Sequence, residues 1–315
     1  MEQISEDMSA YMAEVVEEEQ AKDHDGKTAP FMEVIGESDK EMFGICAIGL
    51  DGNVEKGGCA TEKFPLESVS KALGLAMALE DVGPDFLFER VAREPRGDQF
   101  NSVAAIEKGE NGLPSNPMIN AGAIVCTSHI KGRNGEERFQ RLLDFVRRLA
   151  GNDKIDYNHA MMEAESKDTN RAIFYYLRGE GLVEGREEDK LVPYFKQTSI
   201  EMDCVDLARI AAVFANGGRD LKTDKVIVSE QTVRIVLTLM FTTGMYEGSG
   251  RYAVEVGIPS KSGISGAIMA VVPGRMGIST IGPALDDHGN SIAGVNMLKK
   301  IAKRWHLGTF DVHNQ

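Results

Sequence analysis

The fold is decided by residues 42–79, which read MFGICAIGLDGNVEKGGCATEKFPLESVSKALGLAMAL. Two apolar runs flank Asp51-Gly52-Asn53, and this pattern predicts two antiparallel strands joined by a tight turn. Ser68 then opens a stretch in which leucine and alanine recur at helical spacing. The segment therefore predicts a β-hairpin that leads into an apolar helix beginning at Ser68.

Two polar side chains, Ser68 and Lys71, stand at the start of this helix. Residues three apart share a helix face, so the lysine amine can take the proton of the serine hydroxyl. To act as a base near pH 7, Lys71 needs a pKa about 3 units below the ordinary value near 10.4, equivalent to roughly 4 kcal/mol. The alternative is an ordinary N-cap serine followed by a solvated lysine.

A second pair with the same spacing, Ser128 and Lys131, competes for this interpretation. Lys131 is followed by a Gly-Arg-Asn-Gly loop, which predicts an exposed lysine at the end of a helix or strand. By contrast, Ser68 lies where free backbone N–H groups and the helix dipole favour a negative charge. The sequence therefore favours Ser68 as the nucleophile.

The segment Lys261-Ser262-Gly263, at the start of a predicted strand, supplies a further cation. Burial and a neighbouring positive charge both lower a lysine pKa, so Lys261 is a candidate partner for Lys71. This segment is similar to the Lys-Thr-Gly strand that faces Ser-x-x-Lys in penicillin-recognising enzymes.

Composition excludes several classes of function. The chain has 315 residues, of which 42% are hydrophobic and 27% charged, and its net charge of -14 argues against nucleic-acid binding. No Cys-x-x-Cys pair, paired histidine motif or glycine-rich nucleotide motif occurs, so we expect no metal and no cofactor. Cys46 and Cys126 lie in apolar runs and are predicted to be buried free thiols.

The chain shows neither a positively charged secretory start nor an apolar run long enough for a membrane span. The expected location is therefore cytoplasmic, with no membrane partner. Residues 5–20 fit an amphipathic helix whose apolar side chains are candidates for assembly.

Strand patterns occupy both ends of the chain and helical patterns the middle. Short strands are expected at 42–50 and 54–59, and again at 252–257, 266–272 and 276–281, followed by a closing helix at 290–305. The predicted fold is α+β, a mixed and mostly antiparallel sheet with flanking helices and an inserted helical lobe. Residues 1–71 and 236–315 are expected to form the sheet-containing lobe and 72–235 the helical lobe, as one catalytic unit.

Several ordered motifs make a resemblance specific. The segment Asn116-Pro-Met-Ile-Asn120-Ala-Gly-Ala-Ile124 resembles a block of the serine-dependent glutaminases, which have a β-lactamase/transpeptidase-like fold. Further matching motifs follow in family order from Glu163 to Gly266, and they are Glu163 with Glu165-Ser166-x-Asp168-x-Asn170, Tyr194-Phe195, Ser199-Ile200-Glu201, Ala215-Asn-Gly-Gly218, Gly244-Met-Tyr246 and Lys261-Ser-Gly-Ile264-Ser-Gly266.

The resemblance implies hydrolysis of L-glutamine to L-glutamate and ammonia through a Ser68 acyl-enzyme, with Lys71 as the base. It implies that Tyr246 shuttles protons between the serine and the leaving ammonia, and that the backbone of Ile264 joins the Ser68 amide in an oxyanion hole. The residues expected to hold the two charged ends of the substrate are Asn120, Glu163, Asn170 and Tyr194. Homodimers or homotetramers are expected from the family.

Departures from the family pattern leave alternatives open. Phe31-Met32-Glu33 replaces a Tyr-Ile-Pro whose tyrosine hydroxyl lies near substrate, and Asp168-Thr169-Asn170 replaces Asp-Arg-Asn, which removes a cation. Met162 also departs from the family pattern. The alternatives are a penicillin-recognising serine hydrolase, disfavoured because no Ser-Asp-Asn element is present, and a non-catalytic glutamine-binding protein.

Overall fold

The computed structural model of the chain describes residues 2–30, 34, 42–95, 112–165 and 168–311. Its α-helices are α1 Glu2–Gln20, α2 Ser70–Phe88, α3 Asn120–His129, α4 Gly135–Ala150, α5 His159–Glu165, α6 Asp168–Gly179, α7 Glu187–Lys190, α8 Val192–Thr198, α9 Cys204–Ala215, α10 Glu230–Thr243, α11 Ser249–Glu255 and α12 Ile292–Trp305. Its strands are β1 Lys27–Thr28, β2 Gly44–Gly49, β3 Val54–Gly58, β4 Phe64–Pro65, β5 Asp156–Tyr157, β6 Ile200–Met202, β7 Ser260–Ser262, β8 Ala267–Val272, β9 Met276–Ile281 and β10 Ala284–Leu285. Two 3₁₀ helices cover Glu67–Val69 and Tyr246–Gly248.

The central sheet has five strands in the order β3-β2-β9-β8-β7, and each neighbouring pair is antiparallel. Strands from the beginning and the end of the chain therefore share one sheet, as the strand pattern predicts. The α+β class with an antiparallel sheet and flanking helices is confirmed. A small sheet of β4, β6 and β5 lies outside it. Its two- and three-residue strands are too short to show any periodicity.

Both faces of the central sheet are buried. On β2, Cys46 and Ile48 belong to one apolar cluster, and their neighbours Ile45 and Ala47 belong to another on the opposite face. Successive side chains of a strand point to opposite faces, so a strand covered on both sides reads as a continuous apolar run. This explains why GICAIG is almost entirely apolar. Cys46 and Cys126 are buried free thiols, as predicted, and burial raises the pKa of Cys46 to about 12.

Helix α9 packs against one face of this sheet at very short range. A Cβ added to Gly277 of β9 would lie 2.1 Å from the backbone nitrogen of Ala212 and 2.3 Å from the carbonyl oxygen of Ala208. The helix backbone therefore rests directly on the strand. The division into lobes at 71/72 and 235/236 stays a prediction, and α9, which falls within the predicted helical lobe, lies on the sheet.

The strand predicted at 252–257 is wrong, because residues 249–255 form helix α11. In an alternating strand Tyr252, Val254 and Val256 would share one face. Instead Tyr252 and Val256 are buried, whereas Val254 is 89% exposed. This is the i, i+4 burial of a helix face. The third strand of this region is instead β7, which holds Lys261.

Helix α1 covers the outer strand of the sheet. A Cβ on Gly57 of β3 would lie 3.1 Å from backbone atoms of Met12, and Met8, Met12 and Val15 are buried against the sheet and α12. Tyr11 makes an edge-on ring contact with Trp305. The apolar face that the sequence offered as an assembly surface is therefore buried within the chain itself. Among the described helices, none combines the length and apolarity that a membrane crossing requires.

Candidate active site

Ser68 lies in the 3₁₀ turn that joins β4 to α2, and its side chain is only 7% exposed. Glu67, the residue before it, has a φ of +49°, a left-handed conformation that is uncommon for a residue other than glycine. The turn is tied to the helix start, because the Ser70 hydroxyl donates to the Glu67 carbonyl at 2.7 Å. Ser68 is therefore held in a tight, buried turn rather than at a flexible loop.

Gln197 of α8 fixes the same turn from another part of the chain. Its Nε2 donates to the carbonyl of Ser70 at 3.1 Å, while its Oε1 accepts from the Thr127 hydroxyl at 2.8 Å. The helix start is thus connected to α3 and α8 through one buried amide. Nothing in the local sequence of Gln197 indicates this role, since it depends on contacts between residues 70 or more positions apart.

Lys71 lies in the first turn of α2 and is 1% exposed. Its Nζ donates to Oδ1 of Asn120 at 2.6 Å, and Nδ2 of Asn120 donates to Oδ1 of Asn170 at 3.0 Å. This chain of amides connects α2 to α3 and α6. The solvated-lysine alternative is excluded, because a lysine that is almost completely buried needs a specific environment.

The second Ser-x-x-Lys pair has a different environment. The Ser128 hydroxyl is buried and donates to the carbonyl of Val125 within its own helix at 2.9 Å. Lys131 is exposed beyond the end of that helix, as the sequence predicts. A hydroxyl satisfied by its own helix and an exposed amine do not form a reactive pair.

Lys261 of β7 is fully buried next to these groups. Its Nζ donates to the carbonyl oxygens of Ser262 at 2.6 Å and Gly244 at 3.1 Å. Burial, and next the positive charge of Lys71, hold the pKa of Lys261 well below its ordinary value of 10.5. The structure therefore brings the two lysines into electrostatic contact.

Strand β7 reaches the serine turn through a close backbone approach. A Cβ on Gly263 would lie 2.8 Å from the carbonyl oxygen of Leu66 and 3.1 Å from Cγ2 of Val69. Only a residue without a side chain fits there. The glycine of the Lys-Ser-Gly segment is thus explained by packing against the turn that carries Ser68.

Tyr246 is the fourth residue of the candidate site, next to Ser68 and Lys261. Its hydroxyl interacts with the Ser68 side chain, which partly opposes the effect of burial on the tyrosine pKa, and Nζ of Lys261 lies 4.5 Å from its ring centroid. Its φ of +51° is left-handed, and burial raises the pKa of its hydroxyl above the ordinary value of 10.0. The Ser249 hydroxyl holds this strained turn by donating to the Tyr246 carbonyl at 2.7 Å.

The other residues implied by the resemblance are placed as follows. Asn120, Asn170 and Tyr194 are buried, and Tyr194 belongs to the apolar cluster that contains Ala121, the neighbour of Asn120. Ile264, half-buried, directly follows the strand segment of Lys261. Glu163 of α5 is exposed, and no hydrogen bond or ion pair within the described residues joins its side chain to the other eight residues. Phe31 lies outside the described residues.

Similarity to known proteins indicates which reaction this site catalyses. The family model described as Glutaminase matches residues 26–310. The chain belongs to the glutaminase family. The glutaminase of Geobacillus thermodenitrificans is 45% identical over 287 residues, which cover 90% of this chain and 93% of that protein. Glutaminase 2 of Clostridium perfringens is 42% identical over 305 residues, which cover 96% of this chain and 100% of that protein.

Solved structures agree with this glutaminase assignment. The probable glutaminase ybaS superimposes with a TM-score of 0.89 at 33% identity, covering 96% of this chain and 99% of that one. A probable glutaminase from Bacillus subtilis complexed with 6-diazo-5-oxo-L-norleucine has a TM-score of 0.87 at 30% identity, with 96% of each chain covered. The enzyme is therefore an amidohydrolase that converts L-glutamine to L-glutamate and ammonia, not a penicillin-recognising hydrolase.

Proposed function

We propose that this glutaminase works through a Ser68 acyl-enzyme with Lys71 as the general base. The supporting observation is that four buried side chains interact in sequence. Ser68 affects the pKa of Tyr246, Nζ of Lys261 lies 4.5 Å from the centre of the Tyr246 ring, and the charge of Lys71 lowers the pKa of Lys261. A primary carboxamide is a poor electrophile, so splitting its hydrolysis into acylation and deacylation lowers each barrier.

In the acylation step Lys71 accepts the Ser68 proton and the serine oxygen forms a bond to the carboxamide carbon. The C–N bond then breaks, and the nitrogen leaves as ammonia after receiving a proton through Tyr246. In the second step water attacks the ester, and Ser68 recovers its proton as L-glutamate leaves. Whenever Lys261 carries its proton, it disfavours protonation of the neighbouring Lys71 amine and so favours the neutral form that acts as the base.

Two backbone N–H groups, those of Ser68 and Ile264, are proposed to bind the oxyanion. Donors aimed at a developing oxyanion contribute roughly 3 to 4 kcal/mol each in measured cases. The close approach of Gly263 to Leu66 supports this assignment, because it brings the strand that precedes Ile264 beside the serine turn.

For the substrate's charged end we propose Asn120, Asn170, Tyr194 and Glu163. The first two already form one hydrogen-bonded chain with Lys71, so a carboxylate bound there would be positioned relative to the base. Glu163 is the carboxylate proposed for the substrate ammonium. The carboxylate is exposed in the free enzyme, and the bound substrate would cover it.

Labelling with 6-diazo-5-oxo-L-norleucine tests the nucleophile. A solved structure shows a covalent complex between the Bacillus subtilis glutaminase YbgJ and 5-oxo-L-norleucine formed by reaction with this diazo compound. In the present chain mass spectrometry should find the adduct on the peptide containing Ser68. Ser68→Ala should lose both the adduct and ammonia release from glutamine, whereas Ser128→Ala, which changes the other Ser-x-x-Lys pair, should keep both. An adduct that persists in Ser68→Ala would refute the assignment.

Location in the cytoplasm and assembly into homodimers or homotetramers are proposals as well. The four cysteines are free, which suits a reducing compartment. Light scattering of the purified protein gives the oligomeric state, and fractionation of the cells that produce it gives the compartment.

A further inference from the structure

A cavity of about 360 Å³ lies beside Tyr246. Met245 and Glu247, the residues on either side of the tyrosine, line it together with Asp286, His288 and Asn290. The segment from Asp286 to Asn290 also borders Tyr246. A Cβ on Gly289 would lie 3.6 Å from Cε2 of Tyr246 and 3.4 Å from Cγ2 of Ile264. The cavity is thus adjacent to the proposed active site but formed by other side chains.

Two residues that line this cavity each carry a buried acceptor atom that has no hydrogen-bond partner within the described part of the chain. The two atoms are Oε1 of Glu247 and Oδ1 of Asn290. Asn290 is only 4% exposed, and its Nδ2 donates to the carbonyl of Met245 at 3.2 Å. The other side-chain atom, Oδ1, accepts no hydrogen bond from the described residues. A buried acceptor without a donor costs roughly 1–3 kcal/mol, so two of them on residues that line one cavity point to a missing donor or cation.

The charges around the cavity favour a cation over water alone. Glu255 is paired with Arg251 at 2.8 Å and with Lys299 at 3.0 Å. Glu247 has no such partner in the described structure, where the nearest basic group is His288 with its Nδ1 3.8 Å from Oε2. Asp286 adds a second carboxylate, whose Oδ1 accepts the backbone N–H groups of His288 and Asn290.

We propose that this cavity binds a weakly hydrated monovalent cation, K⁺ or NH₄⁺, through Oε1 of Glu247 and Oδ1 of Asn290. One carboxylate and one neutral amide suit a single positive charge. Divalent ions prefer several carboxylates, and no group of three or more acidic, histidine or cysteine side chains in the described residues is arranged for a metal. An ammonium ion, the conjugate acid of the ammonia released from glutamine, can donate hydrogen bonds to both acceptors.

The cation would act on the proposed active site through charge. The carboxylates of Glu67, Glu247 and Asp286 add to burial in raising the pKa of Tyr246. A positive ion held by Glu247 offsets this effect and makes the tyrosine a better proton donor to the leaving nitrogen. This consequence for the rate rests on the proposed function, whereas the binding site itself does not.

Rubidium, an electron-rich substitute for potassium, tests the site directly. Crystals soaked in RbCl should give an anomalous peak between Glu247 and Asn290. In solution, KCl and NH₄Cl should raise the unfolding temperature by several degrees more than choline chloride at equal ionic strength. Glu247→Gln keeps the side-chain shape and should lose the peak and the shift. Glu255→Gln is the matched control, since it alters a carboxylate of the same cavity that is already paired, and it should keep both.

The outcomes separate the two proposals. Equal unfolding temperatures in KCl and choline chloride and no rubidium peak overturn the cation site, even if ammonia is released normally. Preferential binding of Mg²⁺ or Ca²⁺ overturns it as well. A rubidium peak in a protein that releases no ammonia in any salt would support the site and contradict the proposed function.

Discussion

Nζ of Lys71 donates to Oδ1 of Asn120 at 2.6 Å, and both side chains are buried. This bond joins a residue of the serine motif to one of the Asn-Pro-Met block, 49 positions away in the chain. An amide oxygen orients the amine without the full charge of a carboxylate. A carboxylate at this position would stabilise the protonated lysine and oppose the proposed role of its amine as a base.

Asn120→Asp tests this relationship. The new carboxylate favours the charged form of the amine, and an opposite charge at this range shifts a pKa by about 1 to 3 units. We therefore expect kcat near pH 7 to fall by about 10- to 1000-fold, with partial recovery in alkaline buffer as the amine deprotonates. Asn134→Asp is the control, because Asn134 caps a helix with its side-chain oxygen and aspartate caps equally well. A loss of rate that does not change with pH would indicate a purely structural defect.

Lys261→Met tests the role of the second lysine. Lys261 disfavours protonation of Lys71 whenever it is itself protonated, so its removal makes the Lys71 amine easier to protonate, and the acidic limb of the pH dependence of kcat/KM should move to higher pH. Lys131→Met changes the exposed lysine of the other pair and should leave the profile unchanged. Identical profiles for wild type and Lys261→Met would contradict the proposed role.

Lys261 also predicts how stability depends on pH. Its pKa in the folded protein lies well below 10.5, so between that lowered value and 10.5 the unfolded chain binds more protons. Stability therefore rises with pH across this window, and the penalty of burying the charge is largest below it. Urea unfolding of wild type should show this rise, and Lys261→Met should show a flatter dependence. Equal slopes for the two proteins would mean that burial of this charge carries no such penalty.

Gly277→Ala tests the contact between the sheet and α9. The added methyl group would lie 2.1 Å from a backbone atom that cannot move without shifting the helix. Overpacking of this kind costs about 1 to 3 kcal/mol, which denaturant unfolding would detect. Gly250→Ala is the control, because Gly250 lies in α11 with no atom within 4 Å of the added carbon, and there alanine should be neutral or stabilising. If both variants unfold at the same urea concentration, α9 does not rest on β9 as described.

Phe31→Tyr tests the departure from the family pattern. The residue lies outside the described structure, so the prediction rests on the resemblance, in which a tyrosine hydroxyl lies near substrate and nucleophile. One additional hydrogen bond is worth about 0.5–1.5 kcal/mol, so kcat/KM for glutamine should rise about 2- to 10-fold. Phe310→Tyr, at an exposed ring, should have no effect. An unchanged rate in a correctly folded Phe31→Tyr would count against a role for that hydroxyl.

Local patterns in the sequence correctly predicted those helices and turns whose formation depends on neighbouring residues. The hairpin around Gly52, the helix after Ser68 and the closing helix are present, because turn glycines and apolar periodicity act within a few residues. The interpretation of residues 252–257 was wrong because a short run such as Tyr-Ala-Val-Glu-Val fits both periods. Only the packing partner decides between them.

Parts of the candidate site were beyond local reasoning. Gln197 fixes the serine turn by a hydrogen bond to Ser70, and a second hydrogen bond joins it to Thr127. Both partners are distant from Gln197 in the sequence. The left-handed φ of Glu67 depends on the surrounding fold, since glutamate has no preference for it. The unpartnered oxygen of Asn290 is visible only when the whole hydrogen-bond network is known. Such features require the folded chain.

The packing of α1 along β3 has a practical consequence for anyone preparing this protein. The helix covers one face of the sheet at its outermost strand, because Met12 lies over Gly57 and the apolar side chains of α1 pack with Ile45 of β2. Trimming the first 20 residues would therefore expose the apolar side chains of the sheet and α12 that Met8, Met12 and Val15 cover. A shortened version should therefore precipitate or self-associate during purification, and affinity tags are better attached at the opposite terminus.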